Sequence, residues 1–228
     1  PNGVEKSWFN YIFAGPRNVE DAISRRGNPY KKISGTTLGA INKTYKGQWY
    51  IYRDDYDNVL DNLITSMTDT VRKYGTRCLI LDNFMCIDTD SSDEELRSQT
   101  QTIKRLIKFA KKYQVAVILV CHPRKMDAST NVGIYDIAGT SNIVNLAHRT
   151  IGLRRVTDAE RENAAKFSEK RRRLLKYDVI VTIVKDRMFG RQNIDIGLYY
   201  DQASRRFFGD MDEYDRRFSW DTKSYSEP

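Results

Sequence analysis

The strongest constraint in this 228-residue chain is a pair of short, wholly apolar runs separated by one long amphipathic segment. Cys78–Leu81 is continuous apolar sequence ending in Asp82, and Val115–Val120 is another, ending in Cys121-His122. Between them, about Glu94–Tyr113 carries Leu96, Ile103, Leu106, Ile107 and Ala110 at helical spacing. Lys104, Arg105, Lys108, Lys111 and Lys112 fall on the opposite face. Continuous apolar strands are typical of sheets covered on both faces, which are mostly parallel. Strand, helix and strand at this spacing predict a right-handed crossover unit of an α/β sheet.

The flanking sequence extends the pattern. Ser7–Ala14 places Trp8, Phe9, Ile12 and Phe13 on one helical stripe that Gly15-Pro16 stops. Asn18 as a cap predicts a second short helix over Val19–Arg25, and Thr36–Tyr45 a third, with a Gly27-Asn28-Pro29 turn between. Trp49–Tyr52 reads as a strand from its aromatic and β-branched content. Leu60, Leu63, Ile64, Met67 and Val71 form one face of a helix that Gly75 ends. Beyond the crossover come a polar loop, Pro123–Ile134, a helical stretch near Ser141–Ala147, and four strands. These are His148–Arg154, Val179–Lys185, Ile194–Tyr200 and Arg205–Phe208, expected to pair antiparallel. A charged insertion over 156–178, containing Glu169-Lys170-Arg171-Arg172-Arg173, reads as a solvated helix or a loop. The expected organisation is one domain over residues 1–210 and a polar tail over 211–228 with stray aromatics, Tyr214, Phe218 and Trp220.

Composition narrows the partners. With 40% hydrophobic and 30% charged residues the chain has the makeup of a folded globule, and no apolar run approaches the roughly 18 to 20 residues of a membrane span. The opening lacks the basic, apolar and cleavage segments of a secretory signal. Cys78, Cys86 and Cys121 lack metal-ligand spacing and read as structural thiols of a reducing, cytoplasmic compartment. The formal charge of +8 favours a polyanionic partner.

In α/β sheets ligands bind outside the carboxyl ends of the strands, so the residues there carry the candidate chemistry. Asp82 ends its strand as the magnesium-holding aspartate of a nucleotide-binding motif does; a capping Asp after a buried strand has the same form. His122 ends the next strand, where a neutral imidazole could sense a γ-phosphate or be satisfied by a loop carbonyl. Lys185 and Arg187 are two residues apart at a strand end with Gly190 behind them, spaced to face one phosphate group together. Asp136-Ile137-Ala138-Gly139-Thr140-Ser141-Asn142 is small and polar enough to bring backbone N–H groups to a phosphodiester. A metal-dependent nuclease built on Asp82, Asp88 and Asp90 is disfavoured, because Asp88-Thr89-Asp90-Ser91-Ser92-Asp93-Glu94-Glu95 reads more simply as an acidic loop and helix cap.

The order of these parts resembles the RecA-like motor of the DnaB-like replicative helicases, especially their bacteriophage and Twinkle-like branch. The resemblance runs from about Pro1 to Phe208, with the charged insertion as its least matched part. It includes the opening Pro-Asn-Gly-Val-Glu-Lys-Ser-Trp-Phe followed by Ala-Gly-Pro. It implies a RecA-like P-loop ATPase core, a mostly parallel sheet flanked by helices with antiparallel strands at its C-terminal edge. It also implies ATP and Mg2+ as cofactors, with Asp82 organising the metal and His122 sensing the γ-phosphate. Lys185 and Arg187 would reach the nucleotide of a neighbouring subunit, Arg187 as the arginine finger. Arg124, Lys125, Gly139, Thr140, Ser141 and Asn142 would hold single-stranded DNA in the central channel, and Asn145 would couple that loop to the nucleotide. The implied parent is a homo-hexamer in a bacterial or phage-infected cell that moves 5′ to 3′, with a primase or helicase loader as further partner. A RecA- or KaiC-like ATPase and a noncatalytic nucleic-acid-binding module on the same core are the alternatives.

The chain departs from the family at one point: none of its 13 glycines is followed by lysine, so the phosphate-cradling Gly-x-x-x-x-Gly-Lys-[Ser/Thr] is absent. The expectation is an N-terminally truncated core, the later part of a longer protein whose phosphate loop and catalytic glutamate precede Pro1. By itself the piece should bind ATP poorly and hydrolyse it negligibly.

Overall fold

The computed structural model describes residues 9–52, 59–84, 87, 95–123, 136, 142–214, 218 and 220. Along the chain these form α1 (residues 9–14), β1 (Val19–Ile23), β2 (Pro29–Ile33), α2 (Gly35–Tyr45), α3 (Leu60–Tyr74), β3 (Cys78–Leu81), α4 (Glu95–Tyr113) and β4 (Ala116–Leu119). Then follow α5 (Asn142–Leu146), β5 (Arg149–Arg155), α6 (Asp158–Glu162), α7 (Glu169–Leu174), β6 (Val179–Asp186), β7 (Ile194–Asp201), β8 (Arg206–Phe208) and α8 (Met211–Tyr214). The chain divides into two compact units: Pro1–Arg53 with Ala164–Val179 and Gly197–Pro228, and Asp54–Asn163 with Ile180–Ile196.

In the first unit, α1 stops where expected, at Gly15, whose φ of 71° suits glycine. Asn18 does not cap a helix over Val19–Arg25. Its side-chain Nδ2 reaches back to the Ala14 carbonyl at 2.9 Å, and Val19–Ile23 is instead β1, paired antiparallel with β2. The Gly27-Asn28-Pro29 turn explains the difference: it folds Pro29–Ile33 back beside Val19–Ile23, so backbone pairing outweighs the local capping signal. The helix expected over Thr36–Tyr45 is α2, with the Ser34 hydroxyl accepting from the Thr37 N–H at 3.2 Å. Trp49–Tyr52 is not a strand; these residues are irregular and exposed, and Trp49 stacks on Phe9 at 4.2 Å between ring centroids. Ala14, Ile41 and Trp220 form the buried core, joined by Phe13, Val19, Ile33 and Phe218. The tail's Trp220 thus packs against its own chain, its indole N–H donating to the Phe13 carbonyl at 2.8 Å.

The second unit contains the expected crossover. β3 and β4 pair in parallel, Cys78 opposite Ala116 and Leu81 opposite Leu119, with α4 between them in sequence. α3 ends at Gly75, whose φ is 64° and whose N–H returns to the Val71 carbonyl. Met67, Leu106 and Phe109 are the buried centre of a cluster that takes in Leu79, Leu81, Val117 and Leu119 from the strands. The continuous apolar runs were expected to be covered on both faces, and here the structure differs. Cys78, Ile80 and Ile118 on the opposite face are exposed, Ile80 to 54% and Ile118 to 49%, because α3 and α4 both pack on the Leu79–Val117 side. Cys78 is therefore not a buried thiol, whereas Cys121 is half-buried.

β5, β6, β7 and β8 form a four-stranded sheet in that order, and β7 pairs antiparallel with β8 as expected. The insertion is helical, with α6 and α7 joined by a short 3-10 turn over Ala164–Lys166. No helix among the described residues is long and apolar enough to cross a membrane.

Candidate functional site

The carboxyl ends of β3 and β4 are tied together by backbone hydrogen bonds. The Val120 N–H donates to the Leu81 carbonyl at 2.9 Å, and the Phe84 N–H to the Val120 carbonyl at 2.8 Å. This places Asp82 and His122 at one edge of the pair, both exposed to solvent. Asn83, which no sequence signal marks, holds the imidazole: its side-chain amide lies 3.2 Å from His122 Nε2. The Asp82–Asn83 peptide bond is cis. Cys121, next to His122, is half-buried, and burial pushes its thiol up, so it stays protonated and unreactive near neutral pH.

The second group lies at the end of β6. Lys185 donates to two carbonyls at the end of α5, Val144 at 2.7 Å and Asn145 at 3.0 Å. Arg187 also donates to the Asn145 carbonyl, and its own N–H to the His148 carbonyl at 3.0 Å. The two cations therefore share a side, as their spacing predicts, and share an acceptor. Carbonyls of a helix's last turn have no partner within the helix, which makes them natural acceptors for cations. Burial pushes the Lys185 ammonium below its ordinary value, and the Arg187 charge beside it adds to the shift.

Neighbouring side chains brace this strand end. Burial would raise the Asp186 carboxyl, but N–H groups of Met188 and Phe189 and the Arg149 guanidinium outweigh it and hold the carboxyl below its ordinary range. Arg149 lies over the Phe189 ring at 5.6 Å and Arg191 at 5.8 Å. No sequence signal marks Val144, and Asn145 is expected to act through its side chain, while the structure engages its backbone carbonyl.

The two groups rest on one apolar cluster. Phe84, Ile103 and Ile143 are its buried centre, and Cys121 and Leu146 pack against it. Phe84 follows Asn83, Cys121 precedes His122, and Ile143 and Leu146 lie on α5, so one core fixes the strand ends and the helix that receives the cations.

Of the other expected site residues, Arg124, Lys125, Gly139, Thr140 and Ser141 lie outside the described residues, as do Asp88 and Asp90. Asn142 begins α5. Among the described residues no group of three or more His, Cys, Asp or Glu could hold a metal ion by itself. The exposed Asp82 carboxylate still fits a magnesium ion that takes its other ligands from water and nucleotide phosphates, the usual habit of that ion.

No protein-family model and no curated protein matches the chain. Solved structures do. The ATPase domain of a DnaB-like helicase aligns with a TM-score of 0.51 at 19% identity, over 65% of this chain and 50% of that one. A DnaB-like replicative helicase, studied for its interactions with primase, aligns with a TM-score of 0.61 at 15% identity, over 90% of this chain and 47% of that one. The chain spans about half the length of these structures. At these identities the likeness is one of fold, and the fold of this chain is that of the DnaB-like replicative helicase motor domain.

Proposed function

We propose that this chain is the later part of a hexameric replicative DNA helicase motor, one that couples ATP hydrolysis to 5′ to 3′ movement on single-stranded DNA and unwinds duplex. The observation that carries the reading is the shared apolar cluster of Phe84, Ile103 and Ile143, which supports strand ends bearing Asp82 and His122 and the helix bearing the acceptors of Lys185 and Arg187. A motor needs nucleotide-facing groups and strand-facing segments on one rigid base, since only then does a change at one alter the other.

In this reading Asp82 holds the magnesium of a bound ATP through its carboxylate. The ion neutralises charge on the phosphates when bound. His122, oriented by Asn83, donates to the γ-phosphate and registers its loss. Lys185 and Arg187 leave the α5 carbonyls to reach the phosphates of a nucleotide on the adjacent subunit. A finger of this kind is worth about 10³ to 10⁵ in rate because it meets charge that develops in the transition state. The phosphate-cradling loop, missing from the 13 glycines here, comes from sequence outside this chain. Arg124, Lys125 and the Gly139–Asn142 turn contact single-stranded DNA, and Asn145, on the helix directly after that turn, links it to the finger pair. A primase or helicase loader is the expected further partner.

Mixing subunits tests the trans arrangement. In the complete protein, Asp82→Asn and Arg187→Ala should each abolish DNA-stimulated ATP hydrolysis alone. Mixed rings contain interfaces with an intact Asp82 from one subunit and an intact Arg187 from the next, so part of the activity should return. No recovery in mixed rings, with both variants assembling normally, would refute the assignment of Arg187 to a neighbouring site.

A further inference from the structure

From α7 and the turns that flank it, we infer that the outer face of this helix is a binding surface for the phosphate backbone of double-stranded DNA. Between Ala164 and Tyr177 there are six cations, Lys166, Lys170, Arg171, Arg172, Arg173 and Lys176, and one acid, Glu169. Glu169 pairs with Arg173 one turn along. Arg171 turns inward, its guanidinium 4.1 Å from the Phe167 ring centroid, and Leu175 beyond it is buried to 5% exposure. Lys166, Lys170, Arg172 and Lys176 are exposed.

The helix is thus anchored by its apolar side and presents cations outward from a fixed frame. Ser168 caps it, its hydroxyl accepting from the Arg171 N–H. Like charges three and four residues apart on a helix repel, so a run such as this one weakens the free helix, and an anionic partner relieves the repulsion.

The aromatic side chains select the kind of polyanion. Surfaces that hold single strands combine cations with exposed rings on which bases stack. In this segment both rings are engaged: Phe167 lies under Arg171, and Tyr177 packs on Tyr199 at 4.7 Å between centroids. Cations without a free ring suit a duplex, whose bases are already stacked and whose phosphates are outermost. A membrane surface would call for an exposed apolar face beside the charges, and here Leu175 is buried. The inference does not depend on ATP hydrolysis, and its test separates from that of the motor.

The test measures binding of the 228-residue chain to a short labelled DNA duplex and to a thymidine single strand, between about 50 and 200 mM salt. One variant carries Lys170→Gln, Arg172→Gln, Arg173→Gln and Lys176→Gln. A control of equal charge carries Lys104→Gln, Lys108→Gln, Lys111→Gln and Lys112→Gln on the exposed side of α4. Both should melt like the unchanged chain. The α7 variant should lose at least about tenfold in duplex affinity and flatten the logarithmic salt slope by about three, while the control keeps the original slope. Equal losses in both variants would reduce the effect to net charge and overturn the inference. So would an unchanged α7 variant, or one that loses the single strand as much as the duplex.

Discussion

At the scale of single residues, the molecule depends on charges that are placed against specific acceptors. Glu160 receives the Thr157 N–H at 3.0 Å and the Arg154 guanidinium at 2.9 Å on the same carboxylate oxygen, while the Glu160 N–H returns to the Thr157 hydroxyl at 3.3 Å. Its side chain is 2% exposed and that of Arg154 7%. Breaking a buried pair leaves one charge uncompensated in a poor solvent for it, which typically costs about 3–5 kcal/mol. Glu160→Gln keeps the shape and should lower the denaturation midpoint accordingly in urea unfolding, whereas a change within experimental error would show that Arg154 finds solvent when its partner is lost. The Thr157-Asp158-Ala159-Glu160 spacing has the form of a capping box, but the burial of Glu160 and its third partner depend on the tertiary fold. The same limit applies to Lys185. Its pairing with Arg187 follows from strand alternation, yet its acceptors are backbone carbonyls of α5, and a carbonyl has no signature in sequence.

At the scale of elements, the long periodic segments were the legible ones. α3, α4, β3 and β4 stand essentially where apolar spacing and Gly75 predict, because fifteen to nineteen residues of helix carry several turns of pattern. Short pieces carry less. Val19–Ile23 has too few residues to distinguish periods of 3.6 and 2, and pairing with Pro29–Ile33 settles it. Trp49–Tyr52 has strand composition but no strand pairing, and Trp49 is taken up by Phe9. The covering of only one face of β3 and β4 was hidden for a related reason: composition shows that a strand is apolar, and the positions of α3 and α4 decide which face is buried. β7 carries a sharper constraint. A Cβ placed on Gly197 would come within 1.9 Å of the Tyr177 ring. Tyr177 is held against Tyr199, so the ring cannot retreat without unstacking. Gly197→Ala should therefore destabilise the protein by about 1–3 kcal/mol, measured by thermal or urea unfolding. A second change, Tyr177→Ala, should recover part of the loss; no recovery would place the strain elsewhere.

At the scale of the whole molecule, the fold matches helicase motor domains across 90% of the chain in one comparison, while identity is 15%. A fold survives such divergence because the apolar pattern is kept; the chemistry survives only if particular side chains are kept, and that must be tested separately. Asp82 and His122 were legible because apolar strands end in them, and the structure places them at one edge. The strand-holding residues Arg124, Lys125, Gly139, Thr140 and Ser141 lie outside the described residues, so their role rests on the resemblance. The most direct measurement is ATP hydrolysis by the complete protein with and without single-stranded DNA, beside an Arg187→Ala variant and the 228-residue chain alone. The account predicts DNA-stimulated turnover in the complete protein, loss of about a thousandfold or more in the variant with nucleotide affinity retained, and none in the chain alone. Absence of stimulated turnover in an assembled complete protein would contradict a motor and leave Asp82, His122, Lys185 and Arg187 as structural residues of a scaffold.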